Sequence, residues 1–504
     1  MNPAEIFIGA APLTWDLLDM SLGRPLRVSI APAALERVAR GRKWVDELVA
    51  RGDAVYGINT GFGHLKNKRI SNDELDKLQE NLLLSHAVGV GAPAPAEIVR
   101  WMLLFKIHML CAGHSGVRRE VIETLAAWLN HDLLPVVPTR GSLGASGDLA
   151  PLAHLVLPLI GRGEWMGRHT SKMSEQSGIR PLRLAAKEGL ALINGTQFMS
   201  SYAANIGVRA ARLADLADLI YCMTLESLRG SIAPADERIQ NVRPHPGAQQ
   251  SAANIRRMMR DSEILASHAN CDRVQDPYSL RCVPHVHGAF RDTLTHFRAV
   301  VEREINSVTD NPILFAGTGA QADAISGGNF HGAPLAAVLD FLAISLTDLA
   351  NISERRTYLL LGGDEGVPKL LMKDTGVNSG FMILQYTAAA LLNECKVLAT
   401  PASIDSIPSS LGQEDHVSMG ATSAVKCFEI LDRVETVLAI EMLCAAQALH
   451  FRAPLKPGIG PRTALQHIRR RVSHADVDRE FGKDIADALD LLRNNELLLQ
   501  AARK

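Results

Sequence analysis

Apolar positions recur near the helical repeat along most of the chain. Between residues 418 and 451 the apolar set Ala424, Phe428, Leu431, Leu438, Met442 and Ala445 follows that repeat, and neither Gly nor Pro interrupts it from Ala421 to Arg452. The pattern predicts one rod of roughly 45 Å at about 1.5 Å per residue, longer than a small domain is wide, so neighbours must cover it. Residues 198–229, 334–356 and 382–399 read the same way, with Ala, Leu and Ile on one face and Asp, Glu or Arg on another. The expected fold class is therefore mainly α, a bundle of long helices. Runs such as Ala388 to Ala390 and Ala445, Ala446 and Ala448 permit close helix approach, which suits packing within the chain and packing between subunits equally.

The first two hundred residues are less regular. Gly-rich turns at 57–63, 89–91 and 141–147 separate shorter helical patterns, and loops of this kind carry chemistry. The polar stretch 161–180 reads as a surface excursion. No internal repeat, low-complexity tract or flexible linker is present, and the pattern places a loose boundary near residue 205, dividing the chain into 1–205 and 206–504.

With 504 residues and 47% hydrophobic content, the chain can build several core layers. Lys plus Arg total 53 against 54 for Asp plus Glu, a net charge of -1, which offers no attraction to nucleic acid or an anionic membrane and suits a small neutral or zwitterionic ligand. The seven cysteines (Cys111, Cys222, Cys271, Cys282, Cys395, Cys427, Cys444) are odd in number and contain no C-x-x-C pair, so the expectation is a reducing cytoplasm with neither a disulfide framework nor a zinc cage. No basic leader precedes a long apolar run, and the apolar stretch 101–112 is broken by Lys106 and His108, so no signal peptide and no membrane span is expected.

The segment Gly141-Ser142-Leu143-Gly144-Ala145-Ser146-Gly147-Asp148-Leu149-Ala150-Pro151-Leu152 sets a serine inside a glycine-rich loop ahead of an apolar stretch. A nucleophile elbow needs G-x-S-x-G, and here the glycines flank Ala145-Ser146 one position out of register. A phosphate-cradling loop needs Gly-Lys-Ser/Thr or a strand-bounded G-x-G-x-x-G, and neither occurs. On local sequence alone the remaining reading is a plain turn.

That loop resembles the cofactor loop of the histidine and phenylalanine ammonia-lyase family, an MIO-dependent family of aromatic ammonia-lyases and aminomutases. The resemblance runs in order through Tyr56-Gly57-Ile58-Asn59-Thr60-Gly61-Phe62-Gly63, Leu84-Ser85-His86-Ala87, Asn194-Gly195-Thr196-Gln197, Gln275-Asp276-Pro277-Tyr278-Ser279-Leu280-Arg281-Cys282, Gly327-Gly328-Asn329-Phe330-His331 and Gln413-Glu414-Asp415-His416, and so covers nearly the whole chain. It implies that Ala145, Ser146 and Gly147 cyclise into 4-methylidene-imidazol-5-one (MIO), so that no external cofactor and no metal is needed. The residue types suit that chemistry: Gly147 lacks a Cβ and can bring its amide nitrogen onto the Ala145 carbonyl, Ser146 supplies the hydroxyl that leaves, and Ala145 is small enough for a compressed loop.

Eliminating ammonia requires an electrophile, a base for an unactivated β-proton and a carboxylate anchor. The resemblance implies Tyr56 as the base, a role that needs surroundings favouring phenolate because a free phenol titrates near about pH 10. It implies Tyr278 as a second tyrosine near the MIO, Asn194 as the amide that orients the prosthetic group, and Gln275 as part of the same hydrogen-bond shell. Arg281 suits the substrate carboxylate, since its planar fork donates two parallel hydrogen bonds. Outside these motifs a lone Arg or Asn is usually a surface pair or a cap.

The dipeptide Ser85-His86 is similar to that of the histidine-specific members, and Glu414 agrees: a carboxylate accepts an imidazole N–H, whereas a phenyl ring leaves it unpaired. His86 can serve the other ring nitrogen, and Phe330 supplies an apolar wall. The implied activity is elimination of ammonia from L-histidine to give trans-urocanate in histidine breakdown, with an aminomutase, or a lyase for another aromatic amino acid, as the alternative. A fumarase-type lyase is disfavoured because its Gly-Ser loop with Met, Lys and Asn-Pro is missing, and a non-enzymatic descendant because the site residues are intact. The resemblance also implies a homotetramer, its core formed by residues 206–504, whose active sites combine residues of different chains. Two departures stand out: Gly412 where histidine-specific members usually carry Asn, and His285 and His287 after Arg281-Cys282. Two histidines are too few for a closed metal site, so hydrogen bonding behind the site is the expected role.

Arg281→Lys is expected to raise KM for the amino acid by about tenfold, equivalent to about 1.4 kcal/mol. Steady-state kinetics with an unchanged KM would remove Arg281 as the carboxylate anchor.

Overall fold

The computed structural model describes residues 2–52, 55–60, 70–71, 74–167, 178–269, 272–317, 322–494 and 496–503. Gly61 to Gly63 of the first glycine-rich turn, Cys271 and residues 168–177 of the polar excursion lie outside the described residues. The long rods appear where apolar periodicity places them, as helices Gln197–Ser227, Ala333–Leu361, Met382–Leu398 and Gly420–His450. Two further long helices, Pro32–Arg51 and Val283–Ile305, lie outside those stretches. Strands among the described residues form three two-stranded ribbons: Ala4–Ile8 parallel to Leu26–Ile30, Val90–Pro93 antiparallel to Pro138–Arg140, and Ile313–Ala316 antiparallel to Ala322–Ile325.

The chain forms two compact units, one of residues 1–208, 298–340 and 401–425, the other of 209–297, 341–400 and 426–504. Two later segments thus join the N-terminal one in a single unit. Specific polar contacts bind them there. Lys187 and Asp310, both fully buried, form an ion pair at 2.7 Å, and Thr196 donates to Glu304 at 2.6 Å. Met419 N donates to Leu143 O at 2.9 Å, and Asp340 accepts from Ala402 N, Ser403 N and the Ser423 hydroxyl.

Within the first unit, helix Ala96–Leu110 is buried on nearly every face, which explains why its apolar run is almost continuous; Lys106 is buried with it. Three short helices, Leu75–His86, Leu149–Val156 and Glu188–Ile193, pack against one another. Each carries a residue singled out above at or just beyond one end: His86 closes the first, the Ala145–Gly147 tripeptide precedes the second, and Asn194 follows the third.

In the second unit the Ala-rich rods are pinned by buried carboxylates. Asp218 accepts from Ser251, Asn254, His287 and Arg291, at 2.6 to 3.0 Å. Glu441 accepts from Thr224, Ser353 and both Nε and Nη2 of Arg356, at 2.5 to 2.7 Å. Such pairs are costly to desolvate and gain little against apolar packing, but they admit one axial register of helices whose Ala faces would otherwise slide. His287 donates a hydrogen bond to Asp218 within this second unit, and no cluster of three or more potential metal ligands occurs among the described residues. Ala445, Ala446 and Ala448 are fully buried inside the chain, whereas helix Met382–Leu398 leaves Ile383, Tyr386 and Val397 more than half exposed. Among the described residues, one helix, Ala333–Leu361, is long and apolar enough to cross a membrane, and 67% of its most apolar stretch is buried in the protein, as in a core helix.

Arg356→Met strands the Glu441 carboxylate in the core and should cost about 3–5 kcal/mol of stability, whereas adding Glu441→Leu should recover most of it. Urea unfolding of both variants checks this; equal stability of Arg356→Met and the unsubstituted protein would show the pair to be dispensable.

Candidate active site

The loop ahead of helix Leu149–Val156 is held by backbone, and the contact that fixes it leaves no room for a side chain. Gly147 has φ +71° and forms a one-residue parallel bridge with Gly195, while Asp148 N donates to Gly195 O at 2.7 Å. A Cβ on Gly147 would lie 2.1 Å from the Gly195 carbonyl oxygen, so only glycine fits. Asp148 is fully buried, accepts from Ser142 Oγ at 3.1 Å and from Met199 N at 3.0 Å, and so ties the loop to the first turn of helix Gln197–Ser227. Burial pushes its carboxyl up to about 7 despite those hydrogen bonds.

Asn194 sits on the other side of the bridge. Its Nδ2 donates to Ser146 O at 3.4 Å, and its Oδ1 is buried without a partner among the described residues. Its backbone carbonyl is gripped by Lys106, whose Nζ donates to Asn194 O at 2.7 Å and to Ala191 O at 3.3 Å. Burial lowers this ammonium to about 7, with Asp310 and Asp148 pulling the other way.

The loop opens onto a cavity of about 700 Å³ lined by Ala145, Ser146, Tyr56, Thr60, Asn194 and Asn311, by Ser326, Gly327, Gly328, Phe330 and His331, and by residues 413–416. Glu414 reaches it from a tight turn closed by reciprocal main-chain hydrogen bonds between Ser409 and Glu414. Its Oε1 accepts from Ser146 Oγ at 3.2 Å and its Oε2 from Ser409 Oγ at 2.9 Å. Ser410, Leu411 and Gly412 in that turn all have positive φ, +84° at Gly412. Glycine and asparagine are the residues that tolerate this region best, so Gly412 in place of Asn leaves the turn's backbone unchanged.

His86 does not line the cavity but feels the Glu414 charge. Its Nδ1 lies 2.8 Å from Leu82 O, which can only accept, so Nδ1 carries the proton and Nε2 is left as an acceptor. Burial lowers its pKa, opposed by the Leu82 carbonyl and by Glu414, and the ring is neutral at pH 7.

Gln275, Tyr278 and Arg281 belong to the second unit and are not among the residues lining this cavity. Tyr278 is 70% exposed, and the Arg281 guanidinium lies 4.4 Å from its ring centre, a cation–π contact. Arg281 Nε is buried with no hydrogen-bond partner among the described residues.

Sequence reasoning missed Asp148, Lys106, Asn311, His331 and His416 as parts of the site. The signals were present: Asp148 directly follows the tripeptide, and Lys106 is a cation inside an apolar run, read only as an interruption. His331 and His416, both inside the quoted motifs, stack in parallel at 5.7 Å, and Asn311 is buried and accepts from Gly327 N at 2.8 Å.

Three kinds of comparison agree with this geometry. Residues 14–470 match the family model described as aromatic amino acid lyase. The chain is 51% identical over 482 residues to a histidine ammonia-lyase of Gloeobacter violaceus, covering 94% of this chain and 93% of that protein. It is 50% identical over 476 residues to one of Myxococcus xanthus, with the same coverage. Among solved structures, histidine ammonia-lyase from Trypanosoma cruzi superposes with a TM-score of 0.90 at 37% identity, over 99% of this chain and 95% of that one. Tyrosine aminomutase from Streptomyces globisporus gives 0.91 at 33%, over 100% and 99%.

Because its folded pKa lies below the ordinary 6.5, His86 should titrate below that value. Its contribution to stability is unchanged above about pH 6.5 and is lost as pH falls from there through the folded pKa. NMR titration of the ring checks this; a pKa above 6.5 would contradict the burial argument.

Proposed function

The chain belongs to the aromatic amino acid lyase family, and from that premise we propose that it eliminates ammonia from L-histidine to give trans-urocanate. The observation that carries the reading is the convergence of Ala145-Ser146, Tyr56, Asn194, Phe330 and Glu414 on one cavity.

The residues fit an MIO made from Ala145, Ser146 and Gly147: the bridge at Gly147 excludes a Cβ, and Asn194 brings one donor to Ser146 O while its buried carbonyl oxygen lacks a donor. That group supplies an electrophile that no encoded side chain offers, and with it an escape route for the amine. Tyr56 takes the β-proton at its phenol oxygen. Glu414 and the Nε2 of His86 are both acceptors, an arrangement that suits an imidazole with N–H on both nitrogens. The resulting positive ring acidifies the β-proton, and a phenyl ring gains nothing from either acceptor. Phe330 walls the ring side of the cavity.

Arg281, Tyr278 and Gln275 complete the site from another copy of the chain in a homotetramer, Arg281 anchoring the substrate carboxylate. Two features support this: Tyr278 is exposed, and apolar side chains stand out along helices Met382–Leu398 (Ile383, Tyr386, Val397) and Ala333–Leu361 (Phe341, Ile344, Tyr358). The six described cysteines are free and five of them are buried, with the Cys111 thiol pushed up to about 12 by desolvation, which suits a reducing cytoplasm. The pairing of His86 with Glu414 favours histidine over another aromatic amino acid, and the roughly 50% identity to histidine ammonia-lyases favours the lyase over the aminomutase reading.

Incubation with histidine, tyrosine and phenylalanine should give urocanate and ammonia from histidine in preference; a β-amino acid product would decide for a mutase. Ser146→Ala should abolish both turnover and the near-ultraviolet chromophore, and retained activity would sink the proposal.

A further inference from the structure

With Ser146 as encoded, its hydroxyl donates to Glu414 Oε1 at 3.2 Å. The other carboxyl oxygen is occupied, since Ser409 Oγ donates to Oε2 at 2.9 Å, and the closed 409–414 turn fixes the direction of the side chain. Two nearby polar groups are committed elsewhere. Ser142 Oγ bonds to Asp148 and to Gly147 O, and Asn194 Nδ2 donates to the Ser146 carbonyl, not to the hydroxyl. Among the described residues, Glu414 is the acid hydrogen-bonded to the one side-chain atom of the tripeptide that must depart.

Hydroxide is a poor leaving group, and an acid within hydrogen-bond reach converts it to water. We propose that Glu414 has a second role that precedes any substrate: as the acid that releases the Ser146 hydroxyl while the tripeptide matures. The inference rests on the ring-closure reading above. In the step, the Cβ–Oγ bond breaks with its electron pair going to oxygen, and Glu414 in its carboxylic acid form, with the Oε1–Oγ hydrogen bond then running from Glu414 to Ser146, gives that oxygen a proton, so that water leaves. The electron pair of the Ser146 Cα–H bond becomes the second bond between Cα and Cβ, and the released proton, carried by a water molecule, restores Glu414. Nothing is oxidised or reduced by an outside reagent, and the net loss is one water from the side chain. Ser409 is a positioning residue for this step, holding the carboxyl by one oxygen so that the other faces Ser146.

Intact-mass measurement of the full-length chain, followed from synthesis onward, tests the proposal without reference to turnover. The unsubstituted chain should lose the mass of two waters. Glu414→Gln, nearly identical in shape, should accumulate a chain that has lost at most one, with full dehydration slowed by roughly a hundredfold, the lower end of what a positioned acid contributes. Glu414→Asp keeps an acid and should fall between the two, with far-ultraviolet circular dichroism establishing that each variant is folded. Full loss of two waters by Glu414→Gln at the unsubstituted rate overturns the second role and leaves the ring-closure reading standing. An unsubstituted chain with no mass deficit overturns the ring-closure reading itself.

Discussion

The site depends on one backbone contact, the approach of Gly147 to Gly195. It brings two loops together, the one ahead of helix Leu149–Val156 and the one after helix Glu188–Ile193, so closely that a Cβ on Gly147 would strike the Gly195 carbonyl, while a Cβ on Gly195 would meet the Gln197 and Thr309 side chains. The hydrogen bond from Asp148 N to Gly195 O locks the contact, and the residues immediately outside it, Ser146 and Asn194, are thereby set against each other. Displacing either helix would separate all four. The chemistry attributed to the loop is a property of this clamp before it is a property of any single side chain.

Behind the clamp lies charge where apolar packing would be expected. Lys106 and Asp148 are fully buried, and desolvation moves their pKa values toward each other, to about 7 in each case. Lys187 and Asp310 add a second buried pair. Apolar side chains would meet the packing requirement at lower desolvation cost, but they cannot grip a carbonyl or cap the first turn of a helix. Lys106 does the first, at Asn194, and Asp148 does the second, at Met199 N. The loop geometry is therefore held by directional bonds that a purely apolar core does not supply.

Much of this was legible in the sequence. Uninterrupted apolar periodicity gave the four long rods to within a few residues, because nothing in a rod of that kind competes with the helical repeat. Tyr56, Asn194, Phe330, Glu414, Ala145 and Ser146 share the motif resemblance, and they line one cavity. Three things were not legible. The assignment of 298–340 and 401–425 to the N-terminal unit depends on long-range bonds such as Lys187 to Asp310, which no local pattern announces. The value of Lys106 depends on burial, and a lone cation in an apolar run looks the same whether it is tolerated or required. Tyr278, Gln275 and Arg281 share the motif pattern but do not line the cavity, since a one-dimensional pattern does not record where a side chain lies in space.

The turn that delivers Glu414 has a consequence of its own. The Ala145–Gly147 loop is sandwiched between helix ends, whereas Glu414 hangs from a six-residue bend whose tip is open to solvent, with Leu411 84% exposed and no atom within 4 Å of a Cβ built on Gly412. On the function proposed above, ring recognition and bond breaking are thus lodged in parts that differ in their exposure to solvent. Substitutions in the bend can redirect which aromatic ring is accepted while the clamp is untouched, which gives a fold of this kind a cheap route to new substrates and a natural place for a designer to begin.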